Sequence, residues 1–330
     1  MSATTTLAPV GSRKWLDEVG GCATRAARKA QFDLASADER IFSLEADLRD
    51  CGGDEFREAF PGRSVDVGIA EANLIGMAAG LAMRGKLPFV NTFASFALMR
   101  ACEQVRLDLC YHKANVKIAG IFAGMAAGAS GPTHQCIEDV AVARSFPNMV
   151  VLVPADAVDA YHATVAASRH DGPVYIRLGV EPTPAVYGEG HTFQIGRGRV
   201  LLRGERVGIV AAGLSSVANA LAAGRLLSER GVRATIVDMS TIKPLDEALL
   251  AGVAAETGCL VTVEEHSVLG GLGGAVAEFV AGAVPVPVHR IGLADEYCRH
   301  VGPYAAQLKR CGLDAQAIAD RTLTVLERKW

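Results

Sequence analysis

Residues Val67 to Ala82 constrain the chain more than any other stretch. An apolar strand end runs through a tight turn into a helix crowded with small residues. Gly76, Ala79 and Gly80 allow another backbone to come close, while Leu74, Ile75, Met77, Ala78 and Leu81 supply apolar surface. One carboxylate, Glu71, stands at the strand-to-helix junction. Buried there, it would resist ionisation and could hold a proton near neutral pH; as an ordinary first-turn glutamate, it would simply favour the helix dipole. Both readings stay open on this stretch alone.

The 330 residues suffice for two domains. Half are hydrophobic, 6% are aromatic and 35 are glycine, the profile of an α/β protein with close helix–sheet packing. A net charge of −3 leaves no electrostatic footprint for nucleic acid or an anionic membrane. The basic group Arg25, Arg28 and Lys29 reads as a solvated helix face. Cys22, Cys51, Cys102, Cys110, Cys136, Cys259, Cys298 and Cys311 show no paired spacing and read as reduced thiols. Met1 to Val10 lacks the basic start of a signal peptide, and no apolar run is long enough to span a membrane. The expectation is a soluble cytoplasmic protein.

Short apolar runs alternate with helical ones along the whole chain, which predicts parallel sheets with right-handed crossovers. Lys14 to Gln31 reads as one helix, followed by a strand from Ile41 to Asp47 and a polar loop from Cys51 to Pro61. Asp47 lies either at a ligand-facing strand end or at a plain turn. Leu87 to Phe93 is a strand leading through Phe96 into a helix that reaches Tyr111. Phe93 and Phe96 could wall a flat heterocycle or pack in the core. Val116 to Phe122 is followed by a loop of Gly and Ala that ends at His134. Such a loop lets a ligand approach the backbone, and His134 is either an acid–base or phosphate-contacting group or a solvated loop residue. Pro173 to Leu178 closes this half, and Gly179 to Gly198 is the linker, dividing domains at 12–190 and 191–330. In the second half, strands start at Val207, Arg233, Leu260 and Val286. Gly270 to Gly274 lacks the glycine spacing of a dinucleotide loop, so a nicotinamide cofactor is rejected.

Taken together, Ser43 to Leu48, Asp66 to Asn73, Thr92 to Phe96, Gly131 to Gln135, Val237 to Asp246 and Val263 to His266 resemble, in order, the carboxyl-terminal part of transketolase. The likeness runs over residues 15–325. It implies two three-layer α/β/α domains with mainly parallel sheets, a pyrimidine-binding domain and a C-terminal domain, and thiamine diphosphate as cofactor. The resemblance makes Glu71 the group that hydrogen-bonds the aminopyrimidine and favours its imino tautomer. It sets Phe96 and Phe93 against the pyrimidine ring, with Asp47 close to the cofactor. His134 becomes a substrate-facing proton carrier. Arg177 becomes a substrate-phosphate contact, with Arg100 a candidate of the same kind. Glu264, Glu265 and His266 are read as interface, solvent-facing or structural residues.

Two departures narrow the expected substrate. Ser130 stands where transketolases place Asp, and Phe122 where they place a further His, so the pocket is less polar and suits a shorter or less hydroxylated substrate. The Gly-Asp-Gly motif that binds diphosphate and metal does not occur in this sequence; Gly53-Asp54-Glu55 is the nearest string. The resemblance therefore implies one subunit of a split enzyme, an α2β2 assembly moving a two-carbon ketol unit between a ketose-type donor and an aldehyde, with small sugar or keto substrates. Mg²⁺ would be held by the partner subunit that carries the diphosphate domain. The alternatives are the β subunit of a 2-oxo-acid dehydrogenase E1 component and a non-catalytic regulatory module of the same fold.

Overall fold

Apolar runs bounded by turn residues become strands, and the small-residue segments between them become the helices that cover both faces. The computed structural model describes residues 8–48, 52–126, 128, 130–213 and 215–327. Met1 to Leu7, Cys51, Ala127 and Ala129 lie outside them. The strands are β1 (Ile41–Glu45), β2 (Ser64–Asp66), β3 (Leu87–Phe93), β4 (Lys117–Ile121), β5 (Val150–Leu152), β6 (Val174–Arg177), β7 (Arg199–Leu202), β8 (Val207–Ala212), β9 (Ala234–Asp238), β10 (Thr241–Lys243), β11 (Leu260–Ser267) and β12 (Val288–Leu293).

They form two sheets, one of seven strands in the order β10-β5-β6-β4-β3-β1-β2 and one of five in the order β12-β11-β8-β9-β7. Pairing is parallel except at two edges, where β10 runs antiparallel to β5 and β7 antiparallel to β9. β10 follows β9 in the chain yet joins the first sheet, so the two halves share a sheet edge.

Each sheet is covered on both sides. On the first, Trp15, Val19, Ala26 and Ala27 pack against Leu152 and Ile176 on one face. On the other, Leu74, Ile75, Leu98, Val105 and Leu109 meet Leu44, Val90 and Ile118. Side chains such as Ile41, Leu44 and Phe89 are shielded from water, each stabilising the fold by about 1.5–3 kcal/mol. The second face is continuous with the core around Val210, Val237, Met239 and Leu250, so the apolar interior crosses from one half to the other.

Three local expectations need correction. The first helical stretch is two helices, Arg13–Val19 and Ala23–Ala37, because Gly20 and Gly21 both adopt left-handed backbone (φ 60° and 61°) and end the first. The loop before Pro61 contains a short helix, Asp54–Ala59. Arg28 is not on a solvated face: it is buried, its guanidinium donating to Glu45 at 3.0 Å and Ser43 at 3.2 Å.

Candidate active site

The parallel strands β1, β3, β4 and β6 end at one edge of the first sheet, and the segments leaving that edge bring most of the singled-out residues together. Glu71 is the first residue of the helix Glu71–Met83, entered through Gly68 at φ 70°. It is buried, where the positive end of the helix favours a carboxylate. Arg100 clasps it, one Nη donating to both carboxylate oxygens at 2.9 and 2.8 Å. The same guanidinium lies 4.1 Å from the centre of the Phe96 ring. Arg100 sits in a helical stretch with π-helical turns over Phe96–Arg100, a widening that recurs at functional sites. Glu71 and Arg100, expected to hold a proton and to contact a phosphate, are thus an ion pair, with Arg100 half-exposed.

An aromatic wall continues from Phe96. Phe93, the last residue of β3, lies 5.3 Å from Phe96 and stacks on Phe122 at 4.8 Å with 25° between planes. His134 meets Phe93 and Phe96 edge-on at 5.6 and 5.4 Å. Its Nδ1 lies 2.9 Å from the Thr133 hydroxyl, and Ser95 donates to its carbonyl oxygen at 3.4 Å. Beside this wall is a cavity of about 550 Å³ lined in part by Ser95, Phe96, Met99, Arg100 and Thr133. The group offers a buried carboxylate, a movable cation, a flat apolar wall and an imidazole on one side of a cleft. That combination suits a planar, polar-edged heterocycle and proton traffic at a neighbouring oxygen.

Asp47 and Arg177 lie elsewhere, whereas Ser130 stays beside the cluster, its carbonyl accepting from the Thr133 hydroxyl at 3.3 Å. Asp47 is exposed with its backbone at φ 52°, its amide donating to Asp66, and no hydrogen bond or ring contact among the described residues ties it to the cluster. Ser130 is exposed and precedes the short turn Gly131–Thr133. Arg177 is only 1% exposed. Its Nε donates to Asp139 at 2.7 Å, and one Nη donates to the carbonyls of Cys136 at 3.1 Å and Glu265 at 2.9 Å. Burial alone would lower its pKa, but the Asp139 carboxylate carries it above the usual guanidinium value. The guanidinium is a tie between the two halves, and a substrate-phosphate contact is not what this geometry displays.

The second half supports the His134 loop through residues whose pattern in the sequence gave them no specific role. Glu265, fully buried, accepts from the Met125 amide at 2.6 Å and from the Tyr304 hydroxyl. Burial lifts its carboxyl group to about 7, against the downward pull of those two donors and of Arg177. Gln307 accepts from the Gln135 side chain at 3.0 Å. The signal was present: three polar residues, Glu264 to His266, directly follow the apolar run of β11 and continue it inward. Glu264 explains the glycine-rich stretch beside it. Its carboxylate accepts from the amides of Leu272 and Gly273 at 2.6 and 2.7 Å, and a Cβ at Gly271 would collide with it. The anion cradle of that helix start is therefore filled by the protein itself. Among the described residues, no group of three His, Cys, Asp or Glu side chains could hold a metal ion.

Comparison with known proteins places this architecture. The family model for the transketolase pyrimidine binding domain matches residues 22–184, and that for the transketolase C-terminal domain matches residues 196–318. The 6-deoxy-6-sulfo-D-fructose transketolase subunit SqwH of Clostridium sp. (strain MSTE9) is 41% identical over 299 residues, covering 90% of this chain and 92% of its own. An apulose-4-phosphate transketolase subunit of Phocaeicola vulgatus is 39% identical over 300 residues, covering 90% and 95%. A solved split-gene transketolase, described as an inactive β4 tetramer, superposes with a TM-score of 0.84 at 42% identity, covering 93% of this chain and 99% of its own. With both domain models in order and such relatives matched over nearly their full length, the chain belongs to the transketolase family.

Proposed function

We propose that the chain is the C-terminal subunit of a split, thiamine-diphosphate-dependent transketolase, with a pyrimidine-binding domain over 12–190 and a C-terminal domain over 191–330. It moves a two-carbon ketol unit from a ketose-type donor to an aldehyde acceptor in the cytoplasm, together with a partner subunit that supplies the diphosphate and Mg²⁺ site in an α2β2 assembly. The observation that carries this reading is the convergence of Glu71, Phe93, Phe96, Phe122 and His134 at one sheet edge. Relatives that are named transketolase subunits support it over the 2-oxo-acid dehydrogenase alternative.

The residues fit the cofactor's pyrimidine half. A buried carboxylate beside an aromatic ring whose face already accepts a planar guanidinium suits an aminopyrimidine, with Phe93 and Phe96 as the wall. When bound, thiamine diphosphate supplies the carbon nucleophile for the donor carbonyl. Glu71 would hydrogen-bond the ring nitrogen through its carboxyl group, with Arg100, half-exposed, as the partner that gives way. The three phenylalanines exclude water from that edge. His134 moves a proton at the donor's oxygen, its ring oriented by Thr133. Ser130 and Phe122 in place of Asp and His favour a less hydroxylated donor.

Calorimetric titration of thiamine diphosphate with Mg²⁺, into the chain alone and with the partner subunit, tests the proposal. Binding only in the mixture is expected; tight binding by the lone chain would overturn the split site. In the reconstituted enzyme, Glu71→Ala should cost at least about a hundredfold in turnover. Unchanged activity would remove Glu71 from the chemistry.

A further inference from the structure

The surface beside β12, at the edge of the second sheet, concentrates positive charge that the chemistry at Glu71 and His134 does not use. A cleft of about 550 Å³ opens there, with Arg290, Arg299, Arg310 and Arg321 in its lining and His300 beside them. Each arginine arrives on a different element. Arg290 lies in β12 and Arg299 in the segment after it, Arg310 ends the helix Tyr304–Arg310, and Arg321 lies in the helix Ala315–Glu327. Such convergence is not the run of neighbouring charges that a solvated helix face produces.

The charge is also unbalanced. Several arginines elsewhere meet acids, among them Arg57 with Glu45, Arg144 with Glu278, Arg230 with Asp320 and Arg233 with Glu205. Among the described residues, none of the four around the cleft takes part in an ion pair, and the lining contains a single carboxylate, Glu296. Arg290 donates to the carbonyl of Val268 at 2.7 Å. Arg321 is partly buried without a carboxylate to offset it, and that burial lowers its pKa from the usual value. Like charges gathered around a concave, partly dry wall repel one another and raise the local potential. Guanidinium forks match the paired oxygens of a phosphate, a geometry that neither a monatomic halide nor a neutral sugar offers.

We infer that this cleft binds a small phosphorylated metabolite, its phosphate or diphosphate group held by Arg299, Arg310 and Arg321. The inference stands independently of the ketol-transfer reading. It also gives the site a route to the first one. Tyr297 lines both this cleft and the cavity beside Phe96 and Arg100. The helix that ends in Arg310 begins at Tyr304, which donates to Glu265, and includes Gln307, which holds Gln135. A ligand pulling on Arg310 therefore acts on the helix that supports the His134 loop.

Isothermal titration of pyrophosphate and of ribose 5-phosphate into the full chain, in about 0.15 M salt where exposed charges are screened beyond roughly 8 Å, tests this, with ribose as the neutral control. Saturable binding to one site is expected for a phosphorylated probe and none for ribose. The double variant Arg299→Gln/Arg310→Gln replaces two exposed side chains, so its thermal midpoint should match the parent while affinity falls at least about tenfold, or 1.4 kcal/mol. Arg100→Gln, on the active-site side, should leave the affinity unchanged. No binding by either probe, equal binding in the double variant, or binding present only at low salt would overturn the inference. So would loss of binding in Arg100→Gln, which would put the phosphate at the candidate active site instead.

Discussion

Phe122 occupies the left-handed region at φ 56°, which costs a bulky side chain about 1–2 kcal/mol. What it gains there is its stack on Phe93, so backbone strain and the aromatic wall meet at one residue. Its identity, together with Ser130, is where this chain departs most clearly from the sugar-binding pattern implied by its family resemblance. Phe122→His with Ser130→Asp adds two hydrogen-bonding groups on the substrate side. In the reconstituted enzyme, kcat/KM for a polyhydroxylated sugar-phosphate donor relative to a less hydroxylated one should rise about tenfold, the worth of one good hydrogen bond. An unchanged ratio would mean that these positions do not face the donor.

At the scale of elements, the loop from Ala123 to Gln135 and the end of β11 act as one device. Its protonation has a definite sign. Glu265 holds its proton more tightly folded than unfolded, so its contribution to stability is fully present below about 4.5 and is lost as pH rises through about 7. Unfolding by denaturant at pH 5.5 and pH 8 should therefore reveal a loss of stability in the parent that is smaller in Glu265→Gln, which keeps an acceptor for the Met125 amide. Equal pH dependence in the two proteins would show that Glu265 does not titrate in this window. The elements themselves were largely legible. β3 runs over the residues that its apolar pattern marked, and Asp156 and Asp246 cap their helices through Asp159 and Leu249 amides as side chains of that kind do. The apolar run ahead of Glu264 to His266 signalled that these residues continue inward, but not what Glu265 holds, because its partners Met125 and Tyr304 are distant in the chain. The aromatic wall lay between these cases: Phe93 and Phe96 are close in sequence, whereas Phe122 and His134 join them only through strand pairing.

At the scale of the whole molecule, the two halves are joined by more than a linker. β10 pairs with β5, Lys243 donates to the carbonyls of Arg144 at 2.9 Å and Phe146 at 2.5 Å, and Ser240 donates to Asp159 at 2.6 Å. Tyr187, in the linker, donates to Asp238 at 2.6 Å, and His191 meets Asp159 at 2.7 Å. Sequence periodicity marks strands but not which sheet an edge strand joins, so β10 and its consequences lay beyond it. Arg177 is the most consequential of these ties, since its guanidinium spans Asp139 and Cys136 in the first half and Glu265 in the second. Removing it leaves Asp139 charged and buried, a change that typically costs about 3–5 kcal/mol. Arg177→Met should therefore lower stability by that amount in denaturant unfolding of the chain alone, with no substrate or partner present. Arg177→Met combined with Asp139→Leu should recover part of the loss, because no orphaned charge remains. Were Arg177 instead a substrate-phosphate contact, the single variant would unfold like the parent and show its effect in KM of the assembled enzyme. The two roles thus separate in one pair of measurements, stability of the free chain and KM of the complex.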